Sequence, residues 1–207
     1  MQKIVKSVAK LHAHFWQRDD LAEQFWLLAL EIDARMRSEL MRRSKDRFRT
    51  MFSGSGAAGL DAYLMELEVS AVSLCHELSA GPRTLLHCDL RLDNLFFRDD
   101  DVLFIDWQLV RHGNPSNDLA YLLSSGLNGA ASAEPLLAQY HASLVSAGIM
   151  SWSLLDLMAD YKKALRIVLM NLSCVDQIDL GNGRGTKLLE VWIERLRLRL
   201  MADSPLS

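Results

Sequence analysis

Apolar residues recur along most of this chain at intervals of three and four, the period of helices that bury one face. Ile4, Val8, Leu11 and Phe15 place an amphipathic helix over 3–16. A second helix is expected from about Leu21, capped by Asp19 or Asp20, with Phe25, Trp26, Leu28, Leu30 and Ile32 on a broad packing face. Leu60, Leu64, Leu67, Ala71, Leu74 and Leu78 mark another helix, ended by Gly81-Pro82. Further helices are expected from near Leu119, over 134–147, over about 152–174 and over about 187–201. The period breaks once, in the middle. The apolar runs 95–97 and 102–105 flank Arg98-Asp99-Asp100-Asp101, and apolar run, acidic turn, apolar run reads as a β-hairpin. The fold class expected is therefore α+β, predominantly α-helical, with one small central hairpin.

That hairpin has chemical consequences. It sets Asn94 just before its first strand and Asp106 just after its second, side by side, with Asp89 close on the loop leading in. Phosphoryl transfer needs oxygen ligands for Mg²⁺ and a carboxylate that orients the acceptor hydroxyl. Kinases supply them as H-x-D-x-x-x-x-N followed by an aspartate after the next hairpin. His87, Asp89 and Asn94 fit that spacing, and Asp106 follows. One carboxylate, one amide oxygen and nucleotide phosphates suffice for a magnesium ion that keeps several waters. Arg91 places a cation where charge on a transferring phosphoryl group could be neutralised.

Composition narrows the picture without changing it. With 207 residues, half of them hydrophobic, the chain can bury a core as one domain, 1–207, around a catalytic stretch at 85–123. A net charge of −3 offers no strong attraction to nucleic acid or to an anionic membrane. Cys75, Cys88 and Cys174 form no spaced cluster, which suits reduced thiols in the cytoplasm. No apolar run approaches a membrane span, and the N-terminus has no signal-peptide core.

Several features invite sharper readings that their context does not support. Gly54-Ser55-Gly56-Ala57-Ala58-Gly59 is a literal G-x-G-x-x-G, but helical residues precede and follow it and no lysine-bearing strand comes after. It reads as an interhelix loop. Gly181-Asn182-Gly183-Arg184-Gly185 likewise reads as a turn, and Arg111-His112-Gly113-Asn114-Pro115 as a turn-rich loop. His12 and His14 fit helix surface or a packing position better than a metal pair. The basic run from Arg35 to Arg49 fits a solvated helix face.

Three motifs in order carry a family resemblance: His87-Cys88-Asp89-Leu90-Arg91-Leu92-Asp93-Asn94, Phe104-Ile105-Asp106-Trp107-Gln108, and Asn117-Asp118-Leu119-Ala120-Tyr121-Leu122. Together they resemble the aminoglycoside phosphotransferase and choline kinase superfamily. The spacing from Asp106-Trp107-Gln108 to Gly113-Asn114-Pro115 is most similar to the ecdysteroid kinase-like branch. The resemblance implies a protein-kinase-like C-terminal lobe, ATP and Mg²⁺ as cofactors, and a small-molecule hydroxyl as acceptor. It implies that Asp89 is the catalytic aspartate and that Asn94 and Asp106 are the Mg²⁺ ligands. It also implies that His87 braces the catalytic loop, and that Asp118 hydrogen-bonds the backbone of that loop; a simple helix N-cap is the other reading of Asp118. Trp107 and Gln108 match variable positions. Cys88 stands where the family usually has glycine.

The residues before His87 read as helices of that C-terminal lobe from the first turn, so the N-terminal β lobe and its phosphate-pairing lysine are expected to be absent. The chain alone is then expected to be a weak or inactive phosphotransferase, with a docking surface open to a missing lobe or to self-association. A non-catalytic helical remnant or interaction module is the alternative. A metallohydrolase using His87, Asp89, Asp106 and His112 ranks last, for want of enough spaced ligands. The acceptor stays open: Asp156, Asp160, Asp176 and Asp179 could line a pocket or a surface. An acidic pocket suits an amino-sugar or choline, and an apolar one a steroid-like alcohol.

Overall fold

The computed structural model describes residues 1–55, 57–99, 101–129, 131–174 and 183–202. Its helices are α1 (Gln2–His14), α2 (Asp19–Ala22), α3 (Ala34–Met51), α4 (Asp61–Ser79), α5 (Ser116–Gly126), α6 (Glu134–Ser146), α7 (Leu154–Ser173) and α8 (Gly183–Ala202). Two short antiparallel sheets sit between α4 and α5 in sequence. Strands β2 (Leu95–Arg98) and β3 (Asp101–Phe104) form the expected hairpin, with Leu95 opposite Phe104 and Arg98 opposite Asp101. Strands β1 (Thr84–Leu86) and β4 (Arg111–Gly113) form a second pair, with Thr84 opposite Gly113 and Leu86 opposite Arg111.

Helix α7 is the central post. Leu157, Tyr161, Ala164, Leu165, Val168 and Leu172 are buried at helical spacing, and Ile167, Leu169 and Met170 bury the other sides. A helix apolar all round must be surrounded, and α7 packs against α3, α4, α5, α6 and α8. Its start is fixed by a capping box. The Ser153 hydroxyl accepts from the Asp156 N–H at 3.1 Å, and the Asp156 carboxylate accepts from the Ser153 N–H at 3.3 Å. The other end of the core is tied by Arg199 of α8. It is buried and donates to the carbonyls of Leu123, Leu127, Asn128 and Ala131 at the C-terminal end of α5. A cation there meets the negative end of the helix dipole.

Several expectations need correction. The second helix stops after one turn, Asp19–Ala22, and Phe25 is 93% exposed, with Trp26, Leu28 and Ile32 also open to solvent. Instead of a packing helix, 24–33 is a strap, irregular over 24–29 and closed by a 3-10 turn at Leu30–Asp33. Its backbone bonds β4, with the His112 N–H donating to the Leu28 carbonyl at 3.2 Å. Ion pairs Arg83–Glu31 and Arg111–Asp33 hold its far end. Residues 111–113 are a strand, not a loop, so the sheet content is two pairs rather than one. Asp118 does not cap α5, which starts at Ser116. The Asn114 side-chain oxygen accepts from the Ser116 N–H at 3.0 Å and hydroxyl at 2.6 Å, and supplies the cap. At the other end of the chain, 183–185 are already helix, while 181 and 182 lie outside the described residues.

The basic face of α3 is solvated and laced with local pairs: Arg42 and Arg43 reach Glu39, and Arg49 reaches Asp46 and Asp61. Lys45 and Arg42 also reach Glu68 of α4, and Arg37 donates to the Leu30 carbonyl and to Asn171. The glycine run joins α3 to α4 through 3-10 turns at Ser53–Ser55 and Ala57–Leu60, with no strand on either side; Gly56 is outside the described residues.

Candidate active site

The site is built on a loop, residues 87–94, that runs from the end of β1 to the start of β2. Its entry is held by one carboxylate. Asp118, wholly buried on α5, accepts the His87 N–H on Oδ2 at 2.8 Å and the Cys88 N–H on Oδ1 at 2.9 Å. Behind it, His12 of α1 lies fully buried, with Nε2 3.3 Å from Asp118 Oδ2 and Nδ1 2.7 Å from the Tyr140 hydroxyl. The Thr84 hydroxyl donates to the His12 carbonyl at 2.8 Å. A buried carboxylate persists only when its oxygens are satisfied, and these two are.

Cys88 takes a left-handed backbone, φ 63°, which explains why glycine suits this position. Burial, reinforced by the charge of Asp118, pushes its thiol well above the ordinary value near 9.0. A neutral, buried thiol is a poor nucleophile.

His87 ties the loop to the hairpin. Its Nδ1 accepts the Asp89 N–H at 3.3 Å, which leaves Nε2 to donate to the Ile105 carbonyl at 2.7 Å. The Ile105 N–H in turn donates to the Asn94 carbonyl at 3.0 Å. Ile105 is thus bonded on both sides, by His87 and by Asn94, and residue 106 is delivered beside residue 94. Trp107 braces the same corner. Its ring lies 4.7 Å from the His87 ring and its indole N–H donates to the Phe104 carbonyl at 2.9 Å.

Asp89 and Asn94 are in direct contact. The Asn94 amide donates to the Asp89 carboxylate at 2.9 Å and to the Asp89 carbonyl at 2.8 Å. Both amide hydrogens are spent, and the Asn94 side-chain oxygen has no donor among the described residues. Arg91 sits over the same carboxylate, Nε 2.9 Å from Oδ1 and its terminal nitrogen 3.2 Å from Oδ2. Asp106 has a left-handed backbone, φ 64°, and an exposed side chain that, among the described residues, accepts a long contact from Gln108 at 3.5 Å. A non-glycine residue held at positive φ beside such a group is a pattern seen where backbone strain serves a site. A cavity of about 690 Å³ opens beside Asp89 and Arg91.

Other candidates fall away from this place. His112 lies on β4 beside Arg83, at 3.5 Å, and burial together with that cation lowers its basicity. Among the described residues no three His, Cys, Asp or Glu gather as a metal cage. Asp156 belongs to the capping box of α7, and Asp160 accepts from Asn114 and from the Trp152 indole at 2.9 and 3.2 Å. Asp176 and Asp179 lie outside the described residues. Sequence reasoning assigned His12 only a packing or surface position. The signal was there, since Val5, Val8, Ala9 and His12 share one helix face, but the partner Asp118 is far away in sequence.

The sequence profile of the phosphotransferase enzyme family (APH) matches residues 5–154. No curated protein and no solved structure matches the chain.

Proposed function

The chain belongs to the phosphotransferase enzyme family, and on that premise we propose that it transfers the γ-phosphoryl group of Mg²⁺-ATP to a hydroxyl of a small molecule. The acceptor oxygen bonds the γ-phosphorus, its proton passes to Asp89, and the β,γ-bridging bond breaks to release ADP. Arg91, already against Asp89, faces the incoming phosphoryl charge. His87 and Asp118 hold the loop and touch no reacting atom.

The observation that carries this reading is the Asp89–Asn94 contact. By taking both amide hydrogens, Asp89 turns the Asn94 oxygen into a free hard ligand. Asp106, exposed and without a cation partner among the described residues, supplies a second. Two hard oxygens from the protein fit Mg²⁺, which fills its other positions with water and phosphate. An ion held by these residues would supply neutralisation of phosphate charge.

The hairpin supports a place for the nucleotide base. Phe96 and Leu103 are opposite one another, and Ile105 follows on the same face by the two-residue alternation of a strand. All three are exposed, beside the Asn94–Ile105 link. We propose that the base rests on this face. Among the described residues no strand precedes Thr84, so these residues offer one wall of a cleft, in the manner of a kinase-like C-terminal lobe. Because this chemistry is chiefly positioning and electrostatics, turnover by the chain alone should be weak until a second wall covers the nucleotide. The order of motifs from Asp106 to Ala120 favours the ecdysteroid kinase-like branch.

The exposed Phe96, Leu103 and Ile105 of the hairpin also favour a second reading, a non-catalytic module that binds a partner through this face. Titration with a non-hydrolysable ATP analogue separates the two. Binding that requires Mg²⁺ and falls at least about tenfold in Asp106→Ala is expected of the phosphotransferase. Equal, Mg²⁺-independent binding by both proteins would leave the partner-binding module.

A further inference from the structure

We propose that the strap and the start of α3 form a docking surface for an anionic lipid bilayer. This surface is independent of the chemistry assigned to Asp89. Five large apolar side chains stand open within the short stretch 25–36: Phe25 at 93% exposure, then Trp26, Leu28, Ile32 and Met36. Ile32 and Met36 lie one helical turn apart, where the 3-10 turn Leu30–Asp33 runs into α3. The backbone behind them is pinned. Leu27 is buried, the Leu28 carbonyl accepts the His112 N–H, and the Leu30 carbonyl accepts from Arg37. The chain thus holds this stretch firmly in place while leaving its apolar side chains in water, which packing does not explain. Phe25, almost wholly exposed, projects from the surface instead of lining a groove. A projecting ring suits a soft partner that can close around it.

Charge selects the kind of partner. The chain as a whole carries −3, but the charge is unevenly spread. Each acid between residues 31 and 39 is already neutralised: Glu31 by Arg83, Asp33 by Arg111, and Glu39 by Arg42 and Arg43. Arg35 lies between Ile32 and Met36, exposed and with no ion pair among the described residues. Arg43 and Arg47 follow Met36 along the same side of α3 at helical spacing, and both are exposed. Glu23, exposed just before the strap, is the acid that opposes them. Aromatic and aliphatic side chains beside arginines settle together at a membrane surface. The apolar groups enter the boundary of the acyl chains, and the guanidinium groups meet lipid phosphates and carboxylates. Among the described residues no helix is long and apolar enough to cross a membrane, so the contact is peripheral.

The test is co-sedimentation of the 207-residue chain with vesicles of phosphatidylcholine, and of phosphatidylcholine containing about 30% phosphatidylserine. Binding to the anionic vesicles is expected to be at least about tenfold tighter and to weaken as salt is raised. Trp26 is the most exposed of the tryptophans, so its emission should move to shorter wavelength on binding. The double variant Phe25→Ser, Trp26→Ser should bind at least about tenfold more weakly, and Arg35→Glu at least about fivefold. Glu23→Gln should bind more tightly. Val69→Ser, at a position 87% exposed on α4, should bind as the parent does. All these positions are exposed, and circular dichroism confirms that each variant is folded. Equal binding to both kinds of vesicle, binding to neither, or undiminished binding by the double variant overturns the proposal. So does self-association through Phe25 and Trp26 without lipid, read by sedimentation velocity, because a second copy would then be the occupant.

Discussion

Asp118 reaches back from α5 to hold Cys88 in a left-handed turn, its Oδ1 accepting the Cys88 N–H at 2.9 Å while Oδ2 takes the neighbouring N–H of His87 at 2.8 Å. One buried carboxylate thereby fixes the entry to the loop that carries Asp89. Asp118→Asn would turn an amide hydrogen toward one of these donors. The expected cost is about 2–3 kcal/mol of folding stability, and Asp118→Ala, which strands both donors and His12, should cost about 3–5 kcal/mol. Urea unfolding midpoints measure both, and an unchanged midpoint in Asp118→Ala would mean the carboxylate is not holding the loop.

The conformation of Cys88 can be tested separately. At φ 63° a side chain branched at Cβ is strained, whereas glycine is not. Cys88→Gly is expected to remain within about 1 kcal/mol of the parent, because relief of strain offsets the lost thiol packing. Cys88→Val should lose about 2–3 kcal/mol despite being the more hydrophobic change. The reverse order in chemical unfolding would contradict a left-handed residue at this position.

Arg91 and Asp89 form a pair whose members have different tasks in the proposed reaction. Asp89→Asn removes the proton acceptor and should lower kcat about 10²–10⁴-fold with little change in KM. Arg91→Ala should lower kcat about 10–100-fold, and Arg91→Lys should recover part of it, because charge matters there more than the planar fork. Single-turnover rates with radiolabelled ATP read the effect. Equal rates for Asp89→Asn and the parent would remove Asp89 from the chemistry.

The parts of this structure legible in the sequence were those whose cause is local. The periods of α1, α4, α6 and α7 name their own buried faces, and the hairpin announces itself by an acidic turn between apolar runs. The motif from His87 to Asp106 lies within one short stretch, so the closeness of Asn94 to residue 105 follows from the hairpin alone. What escaped depends on distant partners. Strands β1 and β4 have three residues each, too few to show a period, and they exist because Leu85 meets His112 across the loop. The strap at 24–33 carries enough apolar residues to mimic a helix, yet its backbone is drawn to β4 and its Phe25 is left in water. His12 reads as an ordinary helix histidine until α5 and α6 bring Asp118 and Tyr140 to its two nitrogens.

The response to alkali follows from the buried acids around the same loop. Burial and the nearby charge of Asp118 raise Cys88 and Tyr140, and burial raises Tyr121 to about 12. Each group therefore holds its proton more tightly in the folded chain than in the unfolded one. As pH rises past the unfolded thiol value near 9.0, the unfolded state releases a proton that the folded state keeps, so unfolding becomes easier. The full contribution is present below that value, and the loss steepens past the unfolded phenol value near 10.0. Each such proton contributes a slope of about 1.4 kcal/mol per pH unit. Urea midpoints should fall from about pH 9 upward, and in Cys88→Ala the fall should be shallower but still begin at about pH 9, because burial also raises the Cys75 thiol. A midpoint that stays level from about pH 8 to about pH 10.5 would show that these three groups are not held neutral by the fold.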